Sequence, residues 1–314
     1  MLSSGLLRVG RRTGELQPEE GQRQAETLEH DAFDSNAWTG TSFSRPSKAP
    51  DEDGLGTRRS EIRWGYQLCD TTKSAIIWPM CGRYRLSRRK QLVEEYFAAT
   101  SEDYEWIPRY NIAPTQPVLT IRQDVREPIR RLSTTRWGLI PSWAKDPSVA
   151  YKTINAKAET AATTASFREP FKSQRCLIPA DGFYEWQRNG KAKQPYCFEV
   201  NDGELFAFAG LWDKWKDQQG EMIESCTILT TTPNSLLSDI HARMPVILSP
   251  DDYDLWLDPA FRDAASVSQM LKPFDPALMR RYPVSTRVNQ VQNDDADCAK
   301  PLDREPSPTQ SRLF

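Results

Sequence analysis

With 314 residues, 38% of them hydrophobic and 27% charged, the chain has enough apolar content to fold around one large core or two ordinary ones. Its 41 basic and 43 acidic residues leave a formal net charge of −2, so no global basic field marks it as a nucleic-acid binder, and any such surface must be a local patch. The six cysteines, at 69, 81, 176, 197, 226 and 298, form no CxxC pair, and His30 and His241 are the only histidines; a zinc site or other metal centre is therefore not expected, nor any cofactor. No secretory signal and no apolar run of membrane-spanning length is present, which points to a reducing, cytoplasmic setting away from membranes.

Residues 1–79 are polar and mixed, and a stretch such as SRPSKAPDEDGLGTRRS cannot bury enough apolar surface to offset the entropy of ordering. They read as a disordered extension, as a leader that is cleaved, or as residues upstream of a true start at Met80. From residue 80 to 288 the character changes. SRRKQLVEEYFA (87–98) predicts a helix capped by Ser87, with Leu92, Val93, Tyr96 and Phe97 at helical spacing. Short β-like runs follow at 117–122, 130–140, 175–186, 195–200, 205–213, 225–232 and 245–249, with Asn189-Gly190 and Asp202-Gly203 as hairpin signals. A helix starting at Ser249 (249–257) and a short one at 265–272 come next, and 289–314 reads as a polar C-terminal tail. Strands follow strands more often than helices alternate with them. The expected class is α+β: a mostly antiparallel sheet in a barrel- or sandwich-like core with a few flanking helices.

The triplet Met80-Cys81-Gly82 carries a specific chemical possibility. A methionine before small residues is the kind of start from which the initiator is removed, leaving Cys81 with a free α-amine. Amine and thiol then form a 1,2-aminothiol, which condenses with an aldehyde to an imine and closes to a five-membered thiazolidine. An internal cysteine lacks the amine. On this triplet alone, a buried structural thiol is the better-supported alternative. Glu185, between Tyr184 and Trp186, is placed for a raised pKa suited to proton transfer, the alternative being an ion-paired strand residue. His241 is the sole histidine after residue 30 and a candidate for proton transfer, unless it is a core imidazole. Arg83 and Arg85 alternate on one strand and share a face, either tracking phosphates or facing solvent.

Five separated segments carry a resemblance: PRYNIAPT (108–115), WGLIPSW (137–143), INAKAET (154–160), ADGFYEW (180–186) and IHARMP (240–245), all downstream of MCGRY. In order and spacing they closely resemble the SRAP (SOS response associated peptidase) family of abasic-site processing proteins, over roughly residues 80–288. The resemblance implies an SRAP-type fold and covalent capture of abasic sites in single-stranded DNA, with peptidase (autocleavage) and lyase-type side activities. It implies Cys81 as the nucleophile, Asn155 as the residue holding it in place, Glu185 as the acid–base group and His241 as the histidine of the HxRMP motif. Arg83 and Lys157 match positions that contact the DNA backbone, Arg85 extends that pair, and Pro114 and Trp143 lie on loops that stack on or wedge between bases.

This chain departs from the pattern in three places. Lys157 stands where arginine is common, which replaces a two-pronged phosphate contact by a point charge. Ala144 sits where some members carry a second tryptophan, and residues 1–79 would block an N-terminal cysteine unless removed. The competing classes are an N-terminal-cysteine amidohydrolase or thiol peptidase and a non-catalytic single-strand-binding module. The expected protein is a monomer, nucleoid-associated if bacterial. Its last residues, Gln310 to Phe314, resemble the peptide by which DNA-processing proteins dock on a replicative sliding clamp.

Overall fold

The computed structural model describes residues 81–101, 106–124, 126–190 and 192–302. The extension 1–79, Met80 and the clamp-like ending Gln310–Phe314 lie outside the described residues. In chain order the elements are β1 (Tyr84–Leu86), α1 (Lys90–Phe97), β2 (Ala99–Ser101), β3 (Arg109–Ile112), β4 (Pro117–Gln123), β5 (Arg130–Trp137), β6 (Asn155–Lys157), α2 (Ala158–Ala161), α3 (Arg168–Ser173), β7 (Arg175–Ala180), β8 (Gly182–Asn189), β9 (Ala192–Val200), β10 (Phe206–Lys216), β11 (Met222–Thr231), β12 (Met244–Pro245), α4 (Tyr253–Leu257), α5 (Ala264–Gln269) and β13 (Met279–Pro283). Strands dominate and every helix is short, so the expected α+β class with mostly antiparallel pairing holds.

Two sheets share the strands. One runs β13-β9-β8-β1-β3; the other follows β12-β11-β10-β7-β4-β5-β2, with β6 attached to β11. A parallel contact from β5 to β11, at Ser225↔Arg136 and Cys226↔Trp137, closes β11-β10-β7-β4-β5 into a small barrel. The main core lies between this barrel and the inner face of the five-stranded sheet. Tyr84 packs edge-on to Trp137 and Phe208 at 5.4 and 5.7 Å between ring centroids, and Phe183 stacks on Phe198 at 5.0 Å. The outer face of the same sheet is also covered: Tyr184 and Cys197 pack against Val284, Val288 and Cys298 of the C-terminal segment.

That second core corrects one boundary. Residues 289–302, read as the start of a polar tail, are folded onto β3. The Asp294 carboxylate accepts the backbone N–H groups of Tyr110 and Asn111 at 2.6 and 2.8 Å, and Asn111 Nδ2 donates to the carbonyls of Val288, Gln290 and Asn293. A polar sequence can pack when its carbonyls have a buried amide to receive.

Other differences have local causes. α1 begins at Lys90 with no side-chain cap, because Ser87 is spent elsewhere: its N–H and hydroxyl both donate to the buried Asp181 carboxylate. Only Val93 and Phe97 of its apolar residues face the core, while Leu92 and Tyr96 are exposed. The run 175–186 is two strands in different sheets, broken at Asp181. Gly182 follows because a Cβ there would meet Arg85 Nε at 2.7 Å. Asn189-Gly190 does join paired strands, β8 and β9. Asp202-Gly203 instead links β9 to β10 across the two sheets, through successive positive φ values at Asn201, Asp202 and Gly203. Of 245–249 only Pro245 keeps a ladder, together with Met244 before it; beyond it the chain crosses from β11 to β10, Val246 donating to Leu229 O and Leu248 to Ala207 O.

Candidate active site

Strand pairing brings Cys81 to Glu185. β1 runs antiparallel to β8 with Tyr84 opposite Phe183, and Tyr184 N–H donates to Arg83 O at 3.0 Å. Phe183 faces the inner core, so Glu185, two residues on, points to the same side at the sheet's end. There the Cys81 thiol and the Glu185 carboxyl are close enough for each to shift the other's titration, both residues being 4% exposed. Burial pushes the thiol well above its ordinary range, and the neighbouring Glu185 pushes it further, against a backbone hydrogen bond and the more distant charge of Arg243. Burial also raises the Glu185 carboxyl, against the charge of His241, the neighbouring Cys81 and a hydrogen bond from the Trp186 backbone. The pair thus favours its neutral, proton-bearing forms.

β11 supplies the other side. Its C-terminal half is flanked by β6 in parallel (Ile228↔Asn155, Thr230↔Lys157) and by β12 antiparallel (Thr230↔Pro245, Thr231↔Met244). The NAK and RMP segments are therefore neighbours across one strand. Arg243 joins them: its guanidinium donates to both Glu159 oxygens, at 2.7 and 2.8 Å, and to Thr230 O. His241 is fixed by its N–H to Leu237 O, and its Nδ1 lies 3.1 Å from the Arg243 amide nitrogen. Asn155 is buried, with Nδ2 donating to Ile228 O at 3.4 Å. Asn155 Oδ1 and Glu185 Oε1 are buried acceptors with no partner among the described residues. Such atoms cost about 1–3 kcal/mol each, and a polar ligand that donates to them recovers that cost.

Cys81, Glu185 and His241 thus come together, and Asn155 and Lys157 arrive on the strand beside them. The remaining expectations divide. Trp143 is 62% exposed and Lys157 is exposed, as DNA-facing groups must be. Pro114 is buried in a turn, where Thr115 N–H donates to Trp137 O at 2.8 Å, and Trp137 itself is core, its Nε1 donating to Ile154 O. Arg83 and Arg85 do share a face, but the covered outer one, opposite Glu185. Arg85 is held by Glu199, by Asp181 at 3.3 Å and by Tyr282. Arg83 Nη1 donates to Asn111 Oδ1 and Val288 O, both at 2.7 Å, and the guanidinium lies over Trp186. In this structure both guanidiniums are buried, because the segment after β13 covers that face.

The residues sequence reasoning passed over are Arg243 and Glu159, whose pairing spans 84 positions and leaves no local signal. No group of three or more His, Cys, Asp or Glu among the described residues is placed to hold a metal ion, and no described helix is long and apolar enough to cross a membrane.

The family model described as SOS response associated peptidase (SRAP) matches residues 80–291, and the chain belongs to that family. It is 45% identical over 218 residues to the abasic site processing protein YoqW of Bacillus subtilis, covering 68% of this chain and 96% of that one. It is 36% identical over 235 residues to the abasic site processing protein HMCES of Gallus gallus, covering 63% and 69%. A crystal structure of a protein from Bacteroides thetaiotaomicron superposes with a TM-score of 0.66 at 29% identity, over 71% of this chain and all of that one. One from Bordetella bronchiseptica does so with a TM-score of 0.58 at 31% identity, over 65% and 100%.

Proposed function

We propose that this protein processes abasic sites in DNA by capturing them covalently through Cys81, once the residues before it are gone. The observation that carries the reading is the burial of Cys81 beside Glu185, each 4% exposed, next to unpartnered buried acceptors on Glu185 and Asn155. Relatives named as abasic site processing proteins supply the substrate class.

An abasic site exists mainly as a cyclic hemiacetal. Protonated Glu185 donates to the ring oxygen as the C1′–O4′ bond breaks and the C1′ hydroxyl gives its proton to water, freeing the aldehyde. The α-amine of Cys81 attacks that carbon, and the carbinolamine loses water to give an imine. The thiol then adds: Sγ bonds to C1′, its proton leaves through Glu185, and the imine nitrogen takes up a proton to become the secondary amine of a thiazolidine. Aminothiol plus aldehyde gives ring plus one water, with no oxidant needed. Keeping Cys81 a thiol and Glu185 an acid until the substrate arrives is what their burial achieves. Exposed Trp143 stacks on a base and Lys157 meets a phosphate as the strand passes.

The same groups are suited to removing residues 1–80. Sγ attacks the carbonyl of Met80, the Cys81 nitrogen leaves with a proton from Glu185, and water hydrolyses the thioester. Until that step the Cys81 nitrogen is an amide and cannot form the imine.

The test mixes a single-stranded oligonucleotide bearing one abasic site with protein starting at Cys81 and, separately, with the unprocessed chain, then runs denaturing gels. A denaturant-stable band is expected only from protein whose chain begins at Cys81. An equal band from protein still at full length on the same gel, or none from either, would overturn the reading; glutamine hydrolysis without a band would favour an amidohydrolase.

A further inference from the structure

Between Leu139 and Thr153 the chain leaves the barrel and returns to it, the stem closed by Leu139 N–H to Thr153 O and Thr153 Oγ1 to Leu139 O. Gly138 starts the excursion at φ +123°, where a Cβ would strike Ala150 O at 2.7 Å. Two residues after the stem comes Asn155. Inside the loop, Ala144 N–H closes a turn on Pro141 O at 2.8 Å, putting Trp143 at its corner, 62% exposed.

A loop holding a large indole in water would ordinarily be mobile, but this one is pinned from beneath. Ile140 N–H donates to Ser225 Oγ at 2.8 Å, Ser142 N–H to Asp213 Oδ2 at 2.8 Å, and Trp215 Nε1–H to Ala144 O at 2.7 Å. Asp213 and Ser225 are cross-strand partners on β10 and β11, and Trp215 is two residues further along β10, so the three side chains form one row on one face. Each is buried, and Ile140, Ala150 and Trp215 form a small core of their own under the loop. Two of the three bonds fall on the residues immediately flanking Trp143.

We infer that Ser225, Asp213 and Trp215 are positioning residues that hold Trp143 in a fixed outward pose for stacking on a base of single-stranded DNA. This rests on the proposed function. A side chain ordered before binding loses little freedom on binding, so the stacking interaction keeps its full worth. The buried Asp213 carboxylate also accepts Lys214 N–H at 2.8 Å, which keeps its charge hydrogen-bonded without an exposed cation that a phosphate would compete for.

The test measures the dissociation constant of the full chain for a fluorescent single strand with intact bases, in the wild type, Trp143→Ala, Trp215→Phe and the double variant. Trp215→Phe keeps an aromatic ring in the small core and removes only the donor; Asp213→Asn is the second probe. Trp143→Ala is expected to weaken binding at least fivefold, and Trp215→Phe about fivefold, the worth of one hydrogen bond. In the Trp143→Ala background Trp215→Phe should add nothing, because its effect acts through the indole. Wild-type affinity in both Trp215→Phe and Asp213→Asn, or the same loss with Trp143 already absent, would overturn the positioning role while leaving DNA binding intact. A wild-type chain that binds no single strand would instead overturn the DNA reading and this inference with it.

Discussion

Arg243 closes a two-pronged ion pair on Glu159 across the end of β11, joining the HARMP segment to the NAKAET segment. The fork keeps the Glu159 carboxyl below its ordinary value, chiefly through the Arg243 hydrogen bond. A carboxyl depressed in the folded state contributes stability that is present above its unfolded pKa and lost as pH falls through its folded one, so the fork is intact at neutral pH and opens on acidification. Glu159→Gln should slow adduct formation several-fold at pH 7. Arg243→Lys should not restore what Arg243→Ala loses, because an ammonium cannot reach both oxygens and Thr230 O at once. Single-turnover gels over a pH series check both; full rates in Arg243→Lys would remove the fork from the site.

Glu185→Gln keeps shape and removes the titratable proton, and should slow capture roughly 10²- to 10⁴-fold. Because burial raises the Glu185 pKa, its acid form persists to higher pH than an ordinary carboxylic acid. The wild-type rate should therefore fall as pH rises through that raised value, and the Gln variant should lack this limb. An unchanged pH profile would place proton transfer elsewhere.

His241→Ala removes the positive charge that pulls the Glu185 pKa down. The alkaline limb should move to higher pH in this variant, in addition to any loss of rate. A limb that stays put or moves down would show that His241 does not act on Glu185.

Arg85 and Lys157 should behave as opposites. Arg85→Ala leaves Asp181 to Arg88 and Glu199 to Arg280 and Tyr282, each short of one buried donor, and should cost about 1–3 kcal/mol of stability in urea unfolding. Lys157→Ala should leave stability unchanged and lower the salt dependence of single-strand binding by about 0.7 in log–log slope. A salt slope altered by Arg85→Ala in folded protein would return that residue to the DNA surface.

How much of this was legible in the sequence depends on the range of the interaction. Alternation placed the strands at 117–122 and 195–200, and it placed Arg83 and Arg85 on one face. It could not say that residues 284–302 would cover that face, because the covering contacts come from far along the chain. Ser87 looks like a helix cap from its neighbours alone; Asp181, 94 positions away, claims it instead. Cys81, Glu185 and His241 drew attention as candidates because their chemistry is particular to their residue types. The row under Trp143 was not, since serine, aspartate and tryptophan on a hairpin are ordinary residues until a loop is laid over them.

The central claim is a thiazolidine at Cys81, and intact mass spectrometry of the adduct tests it most directly. Protein starting at Cys81, incubated with an abasic oligonucleotide and no reductant, should give one species at the summed mass less one water, surviving denaturation. The Cys81→Ala protein should give none unless borohydride is added, because an amine alone stops at the reversible imine. A species of the same mass from Cys81→Ala without borohydride, or a wild-type adduct that appears only with it, would contradict ring closure by the thiol.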